Sequence, residues 1–298
     1  NQDGAGEVMD AGISFVDLLV IDEASMIDLP STLLSSAFLK EDAQTLLIGD
    51  HRQMEPVQQH DWGEEDRRTI VENVPFMSVL NFVRFLRGDL PESEFTFVDS
   101  PQLGDAIPIT RLDRTYRLHE RVAELLTGLV YTDDGIELKS DKTETIEETN
   151  PVTDGVDTAM EPSVPVTLIV HGENESQDAN RTEVRLAEAV LQALDEPTAD
   201  EVGIVTPHNA QKGRLNERLG GEATIDTVER FQGGERDIMI ISATASDPGY
   251  VRSEAEFLLN PNRLNVAMSR MKKKLVIIAS ESVFEITPTD ADEFDKTL

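Results

Sequence analysis

The sequence predicts an α/β protein in which parallel sheets are flanked by helices. Short apolar, β-branched segments alternate along the chain with amphipathic segments of helical spacing, and this order indicates βα units. Several apolar segments are continuous, which is typical of parallel strands covered on both faces. Polar residues follow the segments at 15–22, 44–50 and 202–206, so we expect functional groups at the carboxyl edge of the sheets.

The first 104 residues predict a small set of elements. We expect strands at 15–22 and 44–50, a helix at 29–40 with Pro30 in its first turn, and a helix at 76–87. Residues 88–107 have the composition of a loop or linker. We therefore assign residues 1–104 to one domain and its linker.

Residues 105–286 predict a second, complete domain. After a helix at 118–130 we expect strands at 166–170, 202–206, 224–228, 238–243 and 275–279, and helices at 181–194, 208–219 and 261–270. Residues 139–163 are acidic and nearly devoid of large apolar side chains, so they predict a long exposed loop. Residues 287–298 predict an acidic tail.

Composition excludes several classes of protein. The 298 residues contain no Cys, which excludes disulfides and Cys-ligated metal sites, and no apolar run approaches the roughly 20 residues of a membrane span. The net charge of −32 is spread along the chain. Dense surface carboxylates keep a protein soluble where salt screens their repulsion, so we expect a cytoplasmic protein of a salt-loving cell. An ordinary acidic protein is the alternative.

Five polar segments have the residue types for phosphate chemistry. Asp22 and Glu23 end the first strand, where an Asp can hold Mg²⁺ and a Glu can position or deprotonate a water. The other segments are 49–56, 113–117, 226–237 and 262–272. The last three contain arginines, which stabilise the charge that develops in phosphoryl transfer. Taken singly, each segment also fits a solvated strand end or a surface ion pair.

Taken in order, these segments resemble superfamily 1 helicases of the Upf-like branch, from about residue 15 to residue 280. Asp-Glu-Ala-Ser at 22–25 is similar to motif II, Gly49 to Pro56 to motif III, Tyr116-Arg117 to motif IV, 227–237 to motif V and 265–272 to motif VI. Val205-Thr-Pro-His208, with Gln211, is similar to a strand and turn of the second motor domain. The resemblance implies one partial and one complete RecA-like domain that clamp ATP and move along a single strand.

The resemblance also implies a role for each matching residue. In the ATP site, Asp22 would hold Mg²⁺, Glu23 would orient the attacking water and Gln53 would sense the γ-phosphate. Arg117 and Arg270 would be arginine fingers. Glu235 would contact the ribose, and Gly234 and Tyr116 would lie near the nucleotide. Contacts to single-stranded DNA or RNA would fall on Thr206, Pro207, Thr227, Phe231 and Gln232. A packed core position is the alternative for Tyr116 and Phe231.

One family feature has no counterpart in the sequence. The phosphate-binding Walker A loop, Gly-x-x-x-x-Gly-Lys-Ser/Thr, is not found, because the 298 residues contain no Gly-Lys dipeptide. We therefore expect the C-terminal portion of an ATP-dependent helicase, inactive without an upstream segment that acts in cis or as a separate chain. The alternative is a truncated, non-catalytic module that binds nucleic acid or a protein partner.

Overall fold

The computed structural model describes residues 14–56, 77–90, 101–152, 154–231 and 234–285. The chain divides into two compact units between Arg111 and Leu112. The sequence analysis placed the boundary after residue 104. Gln232 and the predicted tail at 287–298 lie outside the described residues.

The first unit contains two parallel strands and two helices. The elements are β1 (Val16–Ile21), α1 (Leu29–Ser36), β2 (Leu39–Leu47) and α2 (Val79–Arg87), with a short 3-10 helix at Gly104–Ala106. The side chain of Asp28 accepts a hydrogen bond from the Ser31 backbone and caps α1, and Ser78 caps α2 in the same way. A small core of Ile21, Ala24 and Val79 joins the strands to the helices.

Two expectations for the first unit are wrong. The first helix ends at Ser36 and not at residue 40, and β2 begins at Leu39 and not at residue 44. Residues 40–43 have no partner on β1, because the register shifts from Leu39 opposite Val16 to Gln44 opposite Leu18. Within this irregular stretch Lys40 forms an ion pair with Asp17 at 2.7 Å. In the described part of the chain, one face of β1 and β2 is uncovered: Leu18, Val20, Leu46 and Ile48 are 41–52% exposed.

The second unit is built on a five-stranded parallel sheet of order β3-β7-β6-β4-β5, which confirms the predicted α/β class. Its strands are β3 (Val166–His171), β4 (Val202–Thr206), β5 (Thr224–Thr227), β6 (Arg236–Ser242) and β7 (Met271–Ser280). Its helices are α3 (Glu120–Leu126), α4 (Asp154–Ala159), α5 (Arg181–Gln192), α6 (Asn209–Leu219), α7 (Pro248–Ser253), α8 (Ala255–Leu258) and α9 (Pro261–Met268). A π-helical turn at Thr127–Tyr131 and 3-10 helices at Thr132–Asp134 and Glu281–Val283 complete the unit.

The segment at 139–163 is not the exposed loop that its composition predicts. It contains α4, and Ile146, Val156 and Met160 are buried in the same core as the inner strands. These few apolar residues are enough to hold the segment, because each of them packs against the sheet and its helices. No described helix has the length and apolar character to cross a membrane.

Lys274 fastens this segment to the sheet. It lies on β7 and is fully buried, and its ammonium donates hydrogen bonds to the carbonyl groups of Glu161 at 3.1 Å and Val164 at 2.5 Å. Burial lowers the pKa of Lys274 from its ordinary value to about 8, against the opposing charge of Glu161. Below about pH 8, Lys274 is therefore charged in the folded protein, and the burial of that charge lowers the free energy of unfolding of the second unit.

We predict that Lys274 makes the free energy of unfolding rise with pH. Between about pH 8 and the ordinary lysine pKa of about 10.4, the unfolded chain binds the proton that folded Lys274 has lost, so alkali favours the folded state. The rise is at most on the order of 3 kcal/mol. Lys274→Met should remove it in urea denaturation measured across this range.

Lys273→Met is the matched control for this experiment. Lys273 is partly exposed on the same strand, and its hydrogen bond to Asp237 raises its pKa, so this variant should keep the alkaline rise that Lys274 produces. A pH profile as steep in Lys274→Met as in the unchanged protein would contradict the assignment.

Candidate functional site

The two adjacent carboxylates of Asp22 and Glu23 form an exposed turn directly after β1. Asp22 accepts the Glu23 backbone N–H at 3.0 Å, and Glu23 has a left-handed backbone with φ of 52°. The Ala24 N–H donates to the carbonyl of Ile48 at 2.9 Å, which ties the turn to the end of β2. A left-handed conformation costs a non-glycine residue about 1–3 kcal/mol and is concentrated at functional sites.

Gly49 lets the turn after β2 approach the carboxylate turn. A Cβ atom at this position would lie 2.9 Å from the backbone nitrogen of Ala24 and 3.2 Å from that of Ser25, so a side chain does not fit. The structure therefore brings the predicted motif II and motif III segments together at the carboxyl edge of β1 and β2.

Gln53 lies in the same turn and is held by Asp50. Its backbone N–H donates to the Asp50 carbonyl at 3.0 Å, and its side-chain amide donates to the Asp50 carboxylate at 3.3 Å. The side-chain oxygen of Gln53 is buried and has no hydrogen-bond partner among the described residues. It is an acceptor that a ligand or water could satisfy.

Asp22 fits a Mg²⁺ ion as a hard, exposed oxygen ligand. Within the described ranges, no group of three or more acidic or His side chains is placed to hold a metal ion. Asp22 would therefore share the ion with phosphate oxygens and water, as is usual for Mg²⁺ at nucleotides.

In the second unit, Arg117 and Glu235 form an ion pair. The Nε of Arg117 donates to the Glu235 carboxylate and its Nη1 donates to the carbonyl of Ser269 at 3.4 Å, while Lys272 lies 3.5 Å from the other carboxylate oxygen. Burial raises the pKa of Glu235, but the hydrogen bonds and charges of Arg117 and then Lys272 outweigh it and hold the pKa below its ordinary value. Side chains from three of the predicted segments, 113–117, 226–237 and 262–272, thus meet, and Tyr116, which directly precedes Arg117, is 79% exposed.

Arg270, the second predicted arginine finger, is not exposed in the structure. Its side chain is buried at the start of β7, and its carbonyl accepts the backbone N–H of Arg236 at 3.0 Å. The sequence pattern gave no sign of this burial, because arginine is among the residues least often found inside.

Thr206, one of the residues predicted to contact nucleic acid, is fully buried. Its hydroxyl is bonded to the hydroxyl of Thr244 at 2.7 Å, and the Thr244 backbone N–H donates to the buried carboxylate of Glu183 at 2.8 Å. Thr244 is β-branched but has φ of 70°, a strained conformation that this network holds in place. Pro207, the next residue, is half-buried at the end of β4.

Glu183 is a functional candidate that the sequence analysis missed. It accepts hydrogen bonds from Ser242 at 2.6 Å and Thr244, and His171 lies 3.3 Å away. Burial raises the pKa of Glu183, and these hydrogen bonds only partly oppose it. The helical spacing could have identified it, because Glu183 lies on the same face of α5 as the buried Ala187 and Val190, and a carboxylate on an apolar helix face is unusual.

Thr227 and Phe231 are buried as well, and for Phe231 this fits the alternative of a packed core position. Thr227 ends β5, and its carbonyl accepts the backbone N–H groups of Arg230 and Phe231 at 3.1 and 2.9 Å. Gly234 closes the turn by donating to the Phe231 carbonyl at 3.3 Å. The ring of Phe231 lies over Gly203 of β4, where a Cβ atom would come within 2.6 Å of it.

Comparison with known proteins gives consistent matches. A family model described as an AAA domain matches residues 94–282. The DNA replication ATP-dependent helicase/nuclease JHS1 of Arabidopsis thaliana is 24% identical over 287 residues, 91% of this chain and 19% of that protein. The regulator of nonsense transcripts 1 homolog of Drosophila melanogaster is 36% identical over 118 residues, 35% of this chain and 10% of that protein.

Among solved structures, that of PRRSV helicase matches with a TM-score of 0.40 and 14% identity, covering 90% of this chain and 35% of that one. The chain spans only a fifth or less of the length of the two curated relatives described above.

We predict that Gly203→Ala destabilises the second unit. The added methyl group on β4 would meet the sulfur of Met239 and the ring of Phe231, both 2.6 Å away. Overpacking of this kind costs about 1–3 kcal/mol. Urea denaturation followed by circular dichroism would measure the loss.

Gly213→Ala is the matched control. Gly213 lies in α6 with nothing within 4 Å of a new methyl group, so the helix should gain about 0.5–1 kcal/mol. Equal stability of the two variants would show that Phe231 is not packed on β4.

Proposed function

The chain belongs to the AAA domain family and to the Upf-like branch of superfamily 1 helicases, and from this we propose that it couples ATP hydrolysis to movement along a single strand of nucleic acid. The observation that carries the proposal is the pair of exposed carboxylates after β1, with the turn after β2 packed against them. In that turn the side-chain oxygen of Gln53 has no hydrogen-bond partner among the described residues. One relative is named for DNA replication and another for nonsense transcripts, so the proposal does not choose between DNA and RNA.

In the proposed reaction, a water attacks the γ-phosphorus of ATP while Glu23 orients the water and accepts its proton, and Gln53 senses the γ-phosphate. The bond from the γ-phosphorus to the β-phosphate oxygen breaks, so ADP and inorganic phosphate leave. Asp22 would hold Mg²⁺, which offsets phosphate charge when bound. Arg117 donates to phosphate oxygens, and Glu235 accepts hydrogen bonds from the ribose hydroxyls. The role proposed for Arg270 requires its buried side chain to turn outward.

A phosphate-binding lysine is also needed for this reaction. We propose that residues outside these 298 supply it, in the same polypeptide or in a separate chain, since the sequence has no Gly-Lys dipeptide. The missing Gly-Lys dipeptide also favours a second candidate function, that of a module without ATPase activity that binds nucleic acid or a protein.

Pro207 and the turn after β5 are proposed to face the nucleic acid, and Thr206, Thr227 and Phe231 hold them from the interior. Four cations near these turns already have carboxylate partners: Lys212 with Asp226, Arg263 with Glu229, Lys272 with Glu235 and Lys273 with Asp237. With a net charge of −32, binding must depend on stacking and hydrogen bonds more than on phosphate attraction.

We predict that Glu23→Gln lowers nucleic-acid-stimulated ATP hydrolysis by about 100-fold or more, since an amide does not accept the proton of the attacking water. The assay uses the full-length protein expressed from its natural gene. Glu41→Gln, an equal change of charge at an exposed position on β2, should leave the rate unchanged. Full activity in Glu23→Gln would remove the assignment, and strand binding without hydrolysis in the unchanged protein would favour the non-catalytic module.

We also propose that the protein works in a salt-rich cytoplasm. Raising KCl from about 0.1 M to about 1 M shortens the screening length from about 10 Å to about 3 Å and weakens repulsion among the 58 acidic side chains. The urea midpoint should therefore rise with KCl. An unchanged midpoint and unchanged solubility at low salt would favour an ordinary acidic protein.

A further inference from the structure

Glu235 is held by two cations that come from different elements of the second unit. Arg117, before α3, donates to one carboxylate oxygen, and Lys272, on β7, lies 3.5 Å from the other. The Glu235 side chain is 36% exposed, so a ligand can reach it. The carboxylate is thus fixed from two sides and still accessible.

A shift in strand register places Lys272 in this position. Arg236 of β6 pairs with Met271, but Ile238 pairs with Lys274, so both Lys272 and Lys273 lie opposite Asp237. An extra residue of this kind re-aims side chains, and it is common beside functional sites. As a result Lys272 reaches Glu235, while Lys273 forms an ion pair with Asp237 at 2.7 Å.

The roles proposed for Arg117 and Glu235 separate the two side chains during the reaction. When the Arg117 guanidinium turns toward phosphate oxygens, its hydrogen bond to Glu235 is lost or lengthened. The Glu235 carboxylate is partly buried, and among the described residues Lys272 is then its remaining charged partner. An ammonium on a flexible stem can follow the carboxylate without competing for the bidentate phosphate geometry that suits arginine.

We propose that Lys272 is a positioning residue that keeps the Glu235 carboxylate oriented toward the ribose hydroxyls of a bound nucleotide while Arg117 acts at the phosphates. The inference rests on the proposed function and assigns to Lys272 a role at the ribose, not at the phosphates. The lowered pKa of Glu235, to which Arg117 contributes first and Lys272 second, agrees with it.

The first test is the titration of the Glu235 carboxyl group by NMR in this chain. Lys272→Met should raise its midpoint by about 0.5 pH unit, because a nearby cation favours the carboxylate form. Lys272→Arg should restore the midpoint. Lys273→Met is the matched control, with the same change one residue along the strand, and should leave Glu235 unchanged. Equal midpoints in Lys272→Met and Lys273→Met would overturn the pairing.

The second test separates ribose from phosphate recognition in the full-length protein. Lys272→Met should raise the KM for ATP about tenfold with kcat nearly unchanged, as expected for loss of uniform binding. It should have little effect on 2′,3′-dideoxy-ATP, which lacks the hydroxyls that Glu235 would accept, and little added effect on Glu235→Gln. An equal loss with both nucleotides, or a fall in kcat alone, would overturn the inference and place Lys272 at the phosphates.

The outcomes distinguish the inference from the proposal beneath it. If the unchanged full-length protein neither binds nor hydrolyses ATP, both the proposed function and the role proposed for Lys272 are contradicted. If it hydrolyses ATP and Lys272→Met behaves like Lys273→Met, the inference alone is overturned.

Discussion

The second unit depends on keeping the buried carboxylate of Glu183 hydrogen-bonded. A buried charge without partners costs several kcal/mol, so the groups around it must be placed with little tolerance. Ser242 and Thr244 donate to it from the end of β6, and His171 approaches it from the end of β3. The network continues from Thr244 to Thr206, so one carboxylate fixes the carboxyl ends of three strands. Those ends form the edge where ligands bind in parallel sheets.

Some of the residues proposed to lie near nucleic acid are buried, and of these Thr206 belongs to the same network. A rigid edge needs side chains that hold the turns from beneath, and Thr206, Thr227 and Phe231 do this, while Pro207 remains at the surface. The burial of these residues is therefore compatible with the proposed function. A side chain of a motif can act by fixing the turn that carries the contact, without touching the ligand.

Charge pairing is the second organising feature, and it follows from the composition. With 58 acidic and 26 basic side chains, a cation near a functional turn readily finds a carboxylate. Arg117, whose proposed role is at a phosphate, is held by Glu235, and an anionic ligand must compete with that pair. The acidic surface thus lowers nonspecific attraction for nucleic acid and makes recognition depend on placed groups.

The sequence by itself determined the α/β class, the order of the strands and the family, because apolar strand segments and short motifs are local patterns. It placed Asp22, Glu23 and Gln53 at strand ends, and the structure puts them there. It did not show that Arg270 and Glu183 are buried, that α4 packs its few apolar residues into the core, or that a register shift aims Lys272 at Glu235. Burial and pairing join residues far apart in the chain, and only the tertiary structure brings them within contact distance.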